Sequence, residues 1–192
     1  MIRDLVTASR SYRGFDPSRK VTREELTEFV ECARLTPSGA NRQPLRYYLA
    51  WEKEQTEKIQ PLTRWGAALP ERHLPDADKL PPAFIVICAE TLWAPNPAAC
   101  QKEVGIAAQT ILLAATEAGL GGLMIANFQA EALARALELP EHLVPQLVLA
   151  IGRPAEKIVL TEAEPGGSRN YYRDEQDVHY VPKRPLRDLL IN

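Results

Sequence analysis

Apolar residues recur at helical spacing from the start of the chain: Ile2, Leu5 and Val6 predict a short helix running into the polar stretch Ser9-Arg10-Ser11-Tyr12-Arg13. Thr22 followed by Glu25 reads as a capping box. Leu26, Phe29, Val30 and Ala33 then share one face, predicting a second helix up to Pro37. The runs 46–51 (RYYLAW) and 83–88 (AFIVIC) are β-branched or aromatic and bounded by prolines, hence strands. Residues 52–82 hold five prolines and only fragments of periodicity. A short helix around Gln55–Ile59 and then irregular, mobile chain is expected there.

Glu103–Ala118 reads as a helix closed by Gly119. Val104, Ile106, Ala107, Ala108, Ile111, Leu112, Leu113, Ala114, Ala115 and Ala118 leave it almost no polar face, and a helix apolar all round must be covered on every side. A chain of this size rarely does that alone, and the small residues, Gly105 among them, permit close approach, so the helix is expected at a subunit interface. Residues 122–126 then predict a short strand, 130–137 a helix, and 144–151 a buried strand ending at Gly152 and Pro154. Past residue 160 the periodicity stops. Tyr171, Tyr172 and Tyr180 in that long tail need a surface to pack on, and a partner subunit is expected to supply it.

A length of 192 residues is one domain's worth of chain, and 45% hydrophobic with 25% charged residues excludes a disordered chain. The net charge of −2 excludes a global basic field, and with it nucleic-acid binding as a first reading. The charge is unevenly spread: residues 1–20 carry +3, residues 183–192 carry +2, and the body between them carries −7. The two basic ends are either solvated decoration or two halves of one anion site. Cys32, Cys88 and Cys100 form no C-x-x-C pair and have no histidine nearby, so neither disulfides nor a zinc site is expected. A reducing cytoplasm fits that thiol usage. The N-terminus lacks the apolar core of a signal peptide, and the most apolar stretch, 104–118, is too short to cross a bilayer.

Three polar sets could carry chemistry. Arg10-Ser11-Tyr12-Arg13 offers two guanidinium forks and a hydroxyl, which suit a phosphomonoester, although alone it reads as readily as a solvated basic turn. Pro37-Ser38-Gly39-Ala40-Asn41-Arg42-Gln43-Pro44 presents hydroxyl and amide groups between stiff prolines, which suits the edge of a flat heterocycle; its bland alternative is a helix stop and a turn. Pro182-Lys183-Arg184-Pro185 places two cations in an extended frame. His73, His142 and His179 read as surface or structural, Cys32 and Cys88 as buried inert thiols, and Trp93 as a pocket cap or a packing residue.

The segments SRSYRGF (9–15), PSGANRQP (37–44), GIAAQTILLAATEAGLGG (105–122), AIGRP (150–154) and VPKR (181–184), in this order and spacing, resemble the FMN-dependent nitroreductase family over nearly the whole chain. The resemblance implies an α+β fold in which a mixed central sheet is flanked by helices. It implies one domain, 1–192, in an intertwined homodimer, with an extension from about 160 to 192 wrapping the partner. It implies that Arg10, Ser11 and Arg13, with Lys183 and Arg184, hold the FMN phosphate. Pro37, Ser38, Gly39, Asn41 and Gln43 would approach the flavin from the other subunit, and Met124, Ile125, Ala126 and Asn127 would lie against the ring, with an amide near Ala126 at N5. The implied activity is NAD(P)H oxidation and ping-pong hydride transfer through N5 to an electron-poor acceptor such as a nitroaromatic or quinone. NADH or NADPH serves as reductant, and no catalytic side chain or metal is required. A flavin-binding or flavin-sensing module without nicotinamide turnover is the alternative. The chain departs from the family pattern at Leu45, at Asn127, and in placing the acid before the central helix at Glu103.

Overall fold

The computed structural model describes residues 1–66, 69 and 72–191. Its centre is a four-stranded sheet in the order β1 (Leu45–Ala50), β2 (Ala83–Glu90), β4 (Leu143–Gly152), β3 (Gly121–Ile125), with every neighbouring pair antiparallel. All eight residues of β2 are buried. The strand alternation explains how: Ile85, Ile87, Leu149 and Ile151 point to one apolar layer, and Phe84, Val86, Val148 and Ala150 to the other. Helices α2 (Arg23–Arg34) and α4 (Gln101–Glu117) cover the first face. Helices α3 (Lys53–Ile59) and α5 (Ala130–Ala136), with Phe15, cover the second. A sheet clad on both sides needs apolar residues at consecutive positions, which is why 83–88 and 144–151 read as unbroken apolar runs.

Helix boundaries follow local chemistry. The expected capping box opens α2: Thr22 Oγ1 accepts from the Glu25 N–H (3.2 Å) while the Glu25 carboxylate accepts from the Thr22 N–H (2.9 Å), together contributing about 1 kcal/mol. Helix α4 starts at Gln101, earlier than its apolar pattern suggested, because a 3-10 turn at Pro97–Cys100 leads into it. Its own chain covers only half of it. Val104, Ala107, Ala108, Ile111, Leu112 and Ala115 are buried, whereas Gly105, Ile106 and Gln109 lie open and a side chain built at Gly105 would meet nothing within 4 Å.

The tail has regular structure where the periodicity stops. It forms a second sheet, β5 (Ile158–Glu162), β7 (His179–Lys183) and β6 (Tyr172–Arg173), with β5 and β7 parallel and β6 antiparallel to β7. Parallel pairing thus belongs to this outer sheet, and the central sheet of the chain is antiparallel throughout. These strands are short and half-exposed, so they carry no apolar alternation to read. Within the chain the tyrosines pack on one another and on His179: Tyr172 stacks on Tyr180 and Tyr171 on His179, each with ring centroids 5.1 Å apart.

The region 52–82 is less irregular than expected near its ends. Thr63 bridges to Phe128, and the Phe15 N–H donates to the Lys79 carbonyl at 3.0 Å. The expectation of irregular chain at residues 67, 68, 70 and 71 lies outside the described residues. No described helix is long and apolar enough to cross a membrane.

Candidate functional site

Helix α1 (Ile2–Ala8) ends where Ser9 turns extended, and the chain then runs beside the start of β3. Ser11 bridges Gly122 in parallel, and the Tyr12 N–H donates to the Gly122 carbonyl at 3.1 Å. Glycine is needed at both strand positions, at Gly121 for this approach and at Gly122 for the pairing with β4. A Cβ at Gly121 would sit 2.6 Å from the Tyr12 ring, and one at Gly122 would sit 2.4 Å from the Ala150 carbonyl oxygen. Arg10 and Arg13 flank the exposed Ser11. Arg10 donates to the Val6 carbonyl (2.6 Å) and Arg13 to the Ser11 carbonyl (3.0 Å), yet the buried Nε of each arginine lacks an acceptor. Two guanidinium groups on either side of an exposed hydroxyl suit an anion.

Arg13 is only 8% exposed, because the tail closes over it. Its guanidinium lies 4.6 Å over the Tyr171 ring. Burial lowers its pKa from the usual arginine value, against an opposing pull from Tyr171 and Glu156. Glu156 accepts from the backbone N–H groups of Arg13 and Gly14 through one oxygen and pairs with Arg173 through the other. Arg173 and Arg72 then share Asp177, at 3.0 and 2.7 Å. Arg173 takes Glu156 and shares Asp177 with Arg72, so the positive charges of Arg10 and Arg13 are the ones that a phosphate monoester, carrying about two negative charges, would neutralise. Glu156, Tyr171 and Arg173 were not singled out from sequence as site residues. The one signal was that Tyr171 needed a packing surface.

His179, read as surface or structural, is structural: it is 1% exposed beneath Tyr171. Burial first, then the positive charges of Arg13 and Arg173, lower its pKa to about 4 against a contrary pull from Asp177. A folded pKa below the free value of 6.5 means the unfolded state takes up the proton first. Its contribution, up to about 3 kcal/mol, is thus complete above pH 6.5 and is lost as the pH falls towards 4. Melting temperature followed across that window should fall steeply for the wild type and more gently for His179→Phe; parallel curves would contradict the assignment.

The loop 37–44 adopts a 3-10 turn at Gly39–Asn41, and Ala40, Asn41 and Gln43 all hold positive φ, between 49° and 54°. Three such non-glycine residues cost about 1 kcal/mol or more each, and their persistence points to a functional loop. Internal bonds hold it: the Gln43 N–H donates to Ser38 Oγ, and Gln43 Nε2 donates to Asn41 Oδ1, both at 3.0 Å. The Gly39 N–H donates to Glu103 Oε1 (3.1 Å), so the displaced acid anchors this loop to the N-terminal end of α4. Asn41 and Gln43 remain exposed at the edge of a cavity of about 990 Å³, which Trp93, itself 61% exposed, also lines.

Met124 and Ile125 close β3, and Ala126 and Asn127 follow as exposed chain, tied down where the Arg64 N–H donates to the Asn127 carbonyl at 2.9 Å. Ala126 is four residues past Gly122, about 13 Å along the strand from the point where Ser11 docks. The loop 37–44 does not join the Ser11 segment. It sits at the Glu103 end of α4, whereas Gly122 follows its other end, a helix length of about 25 Å away. Nor does the tail bring Lys183 and Arg184 to Arg13 in this chain. His179 occupies that place, and Lys183, at the far end of β7, is about 13 Å further along.

Of the remaining groups, Cys88 is buried and its thiol pushed up to about 12 by burial, so it is inert, while Cys32 is half-buried rather than buried. His142 is partly exposed, 3.9 Å from Glu90, and His73 is exposed. No metal-binding cluster occurs among the described residues.

A sheet clad by helices on both faces, with a basic segment laid along its β3 edge, defines the nitroreductase-like α+β class. The fold matches a nitroreductase family protein from Streptococcus pneumoniae TIGR4 with a TM-score of 0.67 at 18% identity, over 86% of this chain and 96% of that one. It matches an Exiguobacterium sibiricum protein solved in complex with FMN with a TM-score of 0.65 at 18% identity, over 81% and 89%. In sequence, the chain is 27% identical over 157 residues to a Methanothermobacter thermautotrophicus protein provisionally named NADH dehydrogenase/NAD(P)H nitroreductase, covering 80% of this chain and 77% of that one. It is also 25% identical over 172 residues to the FMN reductase [NAD(P)H] of Bacillus subtilis, covering 79% and 65%. The sequence model of the nitroreductase family matches residues 6–153, and the chain belongs to that family.

Proposed function

We propose that the protein is an FMN-dependent NAD(P)H oxidoreductase whose site is completed by a second copy of the chain. The observation that carries this reading is the separation of its two polar loops by the length of α4, on a helix whose Gly105–Ile106 face stands open. Two such helices packed antiparallel about a twofold axis bring the 37–44 loop of one copy to the Arg10–Arg13 segment of the other.

Arg10, Ser11 and Arg13 would hold the phosphate between two guanidinium groups and the exposed Ser11 hydroxyl. Lys183 and Arg184, both exposed, add charge from the tail, which as an extension from about residue 160 reaches towards the partner. Met124, Ile125, Ala126 and Asn127 would carry the ring, about 13 Å along β3. Pro37, Ser38, Gly39, Asn41 and Gln43 of the second copy would reach its polar edge. When bound, FMN supplies hydride exchange at N5, first with NADH or NADPH and then with an electron-poor acceptor such as a nitroaromatic or quinone. The chain's part is to orient: the exposed Ala126 backbone would donate at N5, and arginine charge would anchor the phosphate end. The names of the M. thermautotrophicus and B. subtilis relatives support the nicotinamide donor, and the E. sibiricum complex supports FMN. The free thiols of Cys32, Cys88 and Cys100 support a cytoplasmic setting.

Purified protein reconstituted with FMN is expected to be yellow, and anaerobic stopped-flow mixing with NADH or NADPH should bleach the flavin promptly. A bound flavin inert to both nicotinamides would favour storage or sensing instead.

A further inference from the structure

We infer that Glu156 is a positioning residue for the phosphate seat, so that docking of the chain's own tail and binding of the FMN phosphate are one coupled event. The inference rests on the flavin reading above and adds residues that lie beyond residue 153, where the family match ends. Glu156 and Arg173 are almost fully buried, with side chains 4% and 6% exposed. One Glu156 oxygen fixes the backbone of Arg13 and Gly14, the two residues that follow Ser11-Tyr12. Its other oxygen holds Arg173, next in sequence but one to Tyr171, whose ring supports the Arg13 guanidinium. A single carboxylate thus sets both the backbone of the arginine segment and the platform beneath its side chain.

The energetics make the coupling reciprocal. Burying Arg13 under the tail costs desolvation, and its Nε is left without an acceptor. A phosphate bound at Ser11 would supply negative charge beside the buried guanidinium, and so favour the docked tail; a docked tail in turn preorganises the seat. Riboflavin, which shares the ring but lacks the phosphate, would exert no such pull. The coupling therefore shows itself as a difference between two ligands, which a general loss of stability would not produce.

The test is the dissociation constant of FMN and of riboflavin for wild type and Glu156→Gln, by flavin fluorescence on the full-length protein. Glu156→Gln should weaken FMN about tenfold or more and leave riboflavin within about twofold. An unchanged FMN-to-riboflavin ratio, with wild type binding FMN, overturns this inference alone; wild type binding neither flavin overturns the flavin reading with it. If Glu156→Gln fails to fold, wild type alone decides the matter through trypsin cleavage at Arg169, in the exposed 164–170 segment of the tail. FMN should slow that cleavage at least fivefold more than riboflavin does, and equal protection by the two would contradict the coupling.

Discussion

Ile106→Glu is expected to give a folded monomer that holds no flavin. Ile106 is 42% exposed on the open face of α4, beside Gly105, so its replacement removes nothing from the core of its own chain and should change stability by only about 0.5 kcal/mol. In the proposed twofold assembly this position is buried against the helix of the second copy, at two symmetric places. Two glutamates would then be buried without partners, at several kilocalories per mole each, and the dimer dissociates. The flavin is expected to go with it, because in the proposed shared site Asn41 and Gln43 reach the ring from the second copy. Light scattering after gel filtration, with the flavin absorbance recorded on the same peak, checks both outcomes. A yellow monomer would remove the shared site from the account.

Arg13→Ala should produce the second large effect, a loss of FMN affinity of about a hundredfold. A charge-assisted contact to phosphate contributes about 1.5–3 kcal/mol, and Arg13 also holds the Ser11 carbonyl and the Tyr171 ring. The sequence alone suggests a simple anchor whose removal leaves the rest of the chain untouched. Because Arg13 is buried beneath the tail, the variant should in addition lose order in residues 156–183, visible as faster trypsin cleavage at Arg169. Unchanged FMN affinity measured by fluorescence titration would defeat the assignment of the phosphate seat.

These two variants also mark where the sequence was legible. The second and fourth helices, the central strands and the polar loop 37–44 announced themselves because each depends on local chemistry: a capping box, a run of β-branched residues, a pair of prolines. The open face of α4 was legible too, as apolar residues in excess of what one chain covers. The tail was not. Its strands are two to five residues long, and what holds them is contact between residues distant in sequence, such as Arg13 with Tyr171 and Glu156 with the Arg13 backbone. A buried Glu156 paired with Arg173 looks, in one dimension, like any pair of solvated charges. Glycine 122 shows the same limit: its need for a bare backbone comes from the Ala150 carbonyl across the sheet, which no local pattern reveals.

A complementation measurement tests the shared site most directly. Chains carrying Arg13→Ala and chains carrying Asn41→Ala with Gln43→Ala, each bearing a different affinity tag, are co-expressed, and the mixed dimer is isolated through both tags. Each parent homodimer should bind FMN weakly, since one lacks the phosphate seat and the other lacks the reaching loop at both sites. The mixed dimer should bind about one FMN per dimer with near wild-type affinity, because one of its two sites combines an intact Arg13 with an intact loop. A mixed dimer that binds no more tightly than its parents would show that each flavin is held within a single chain.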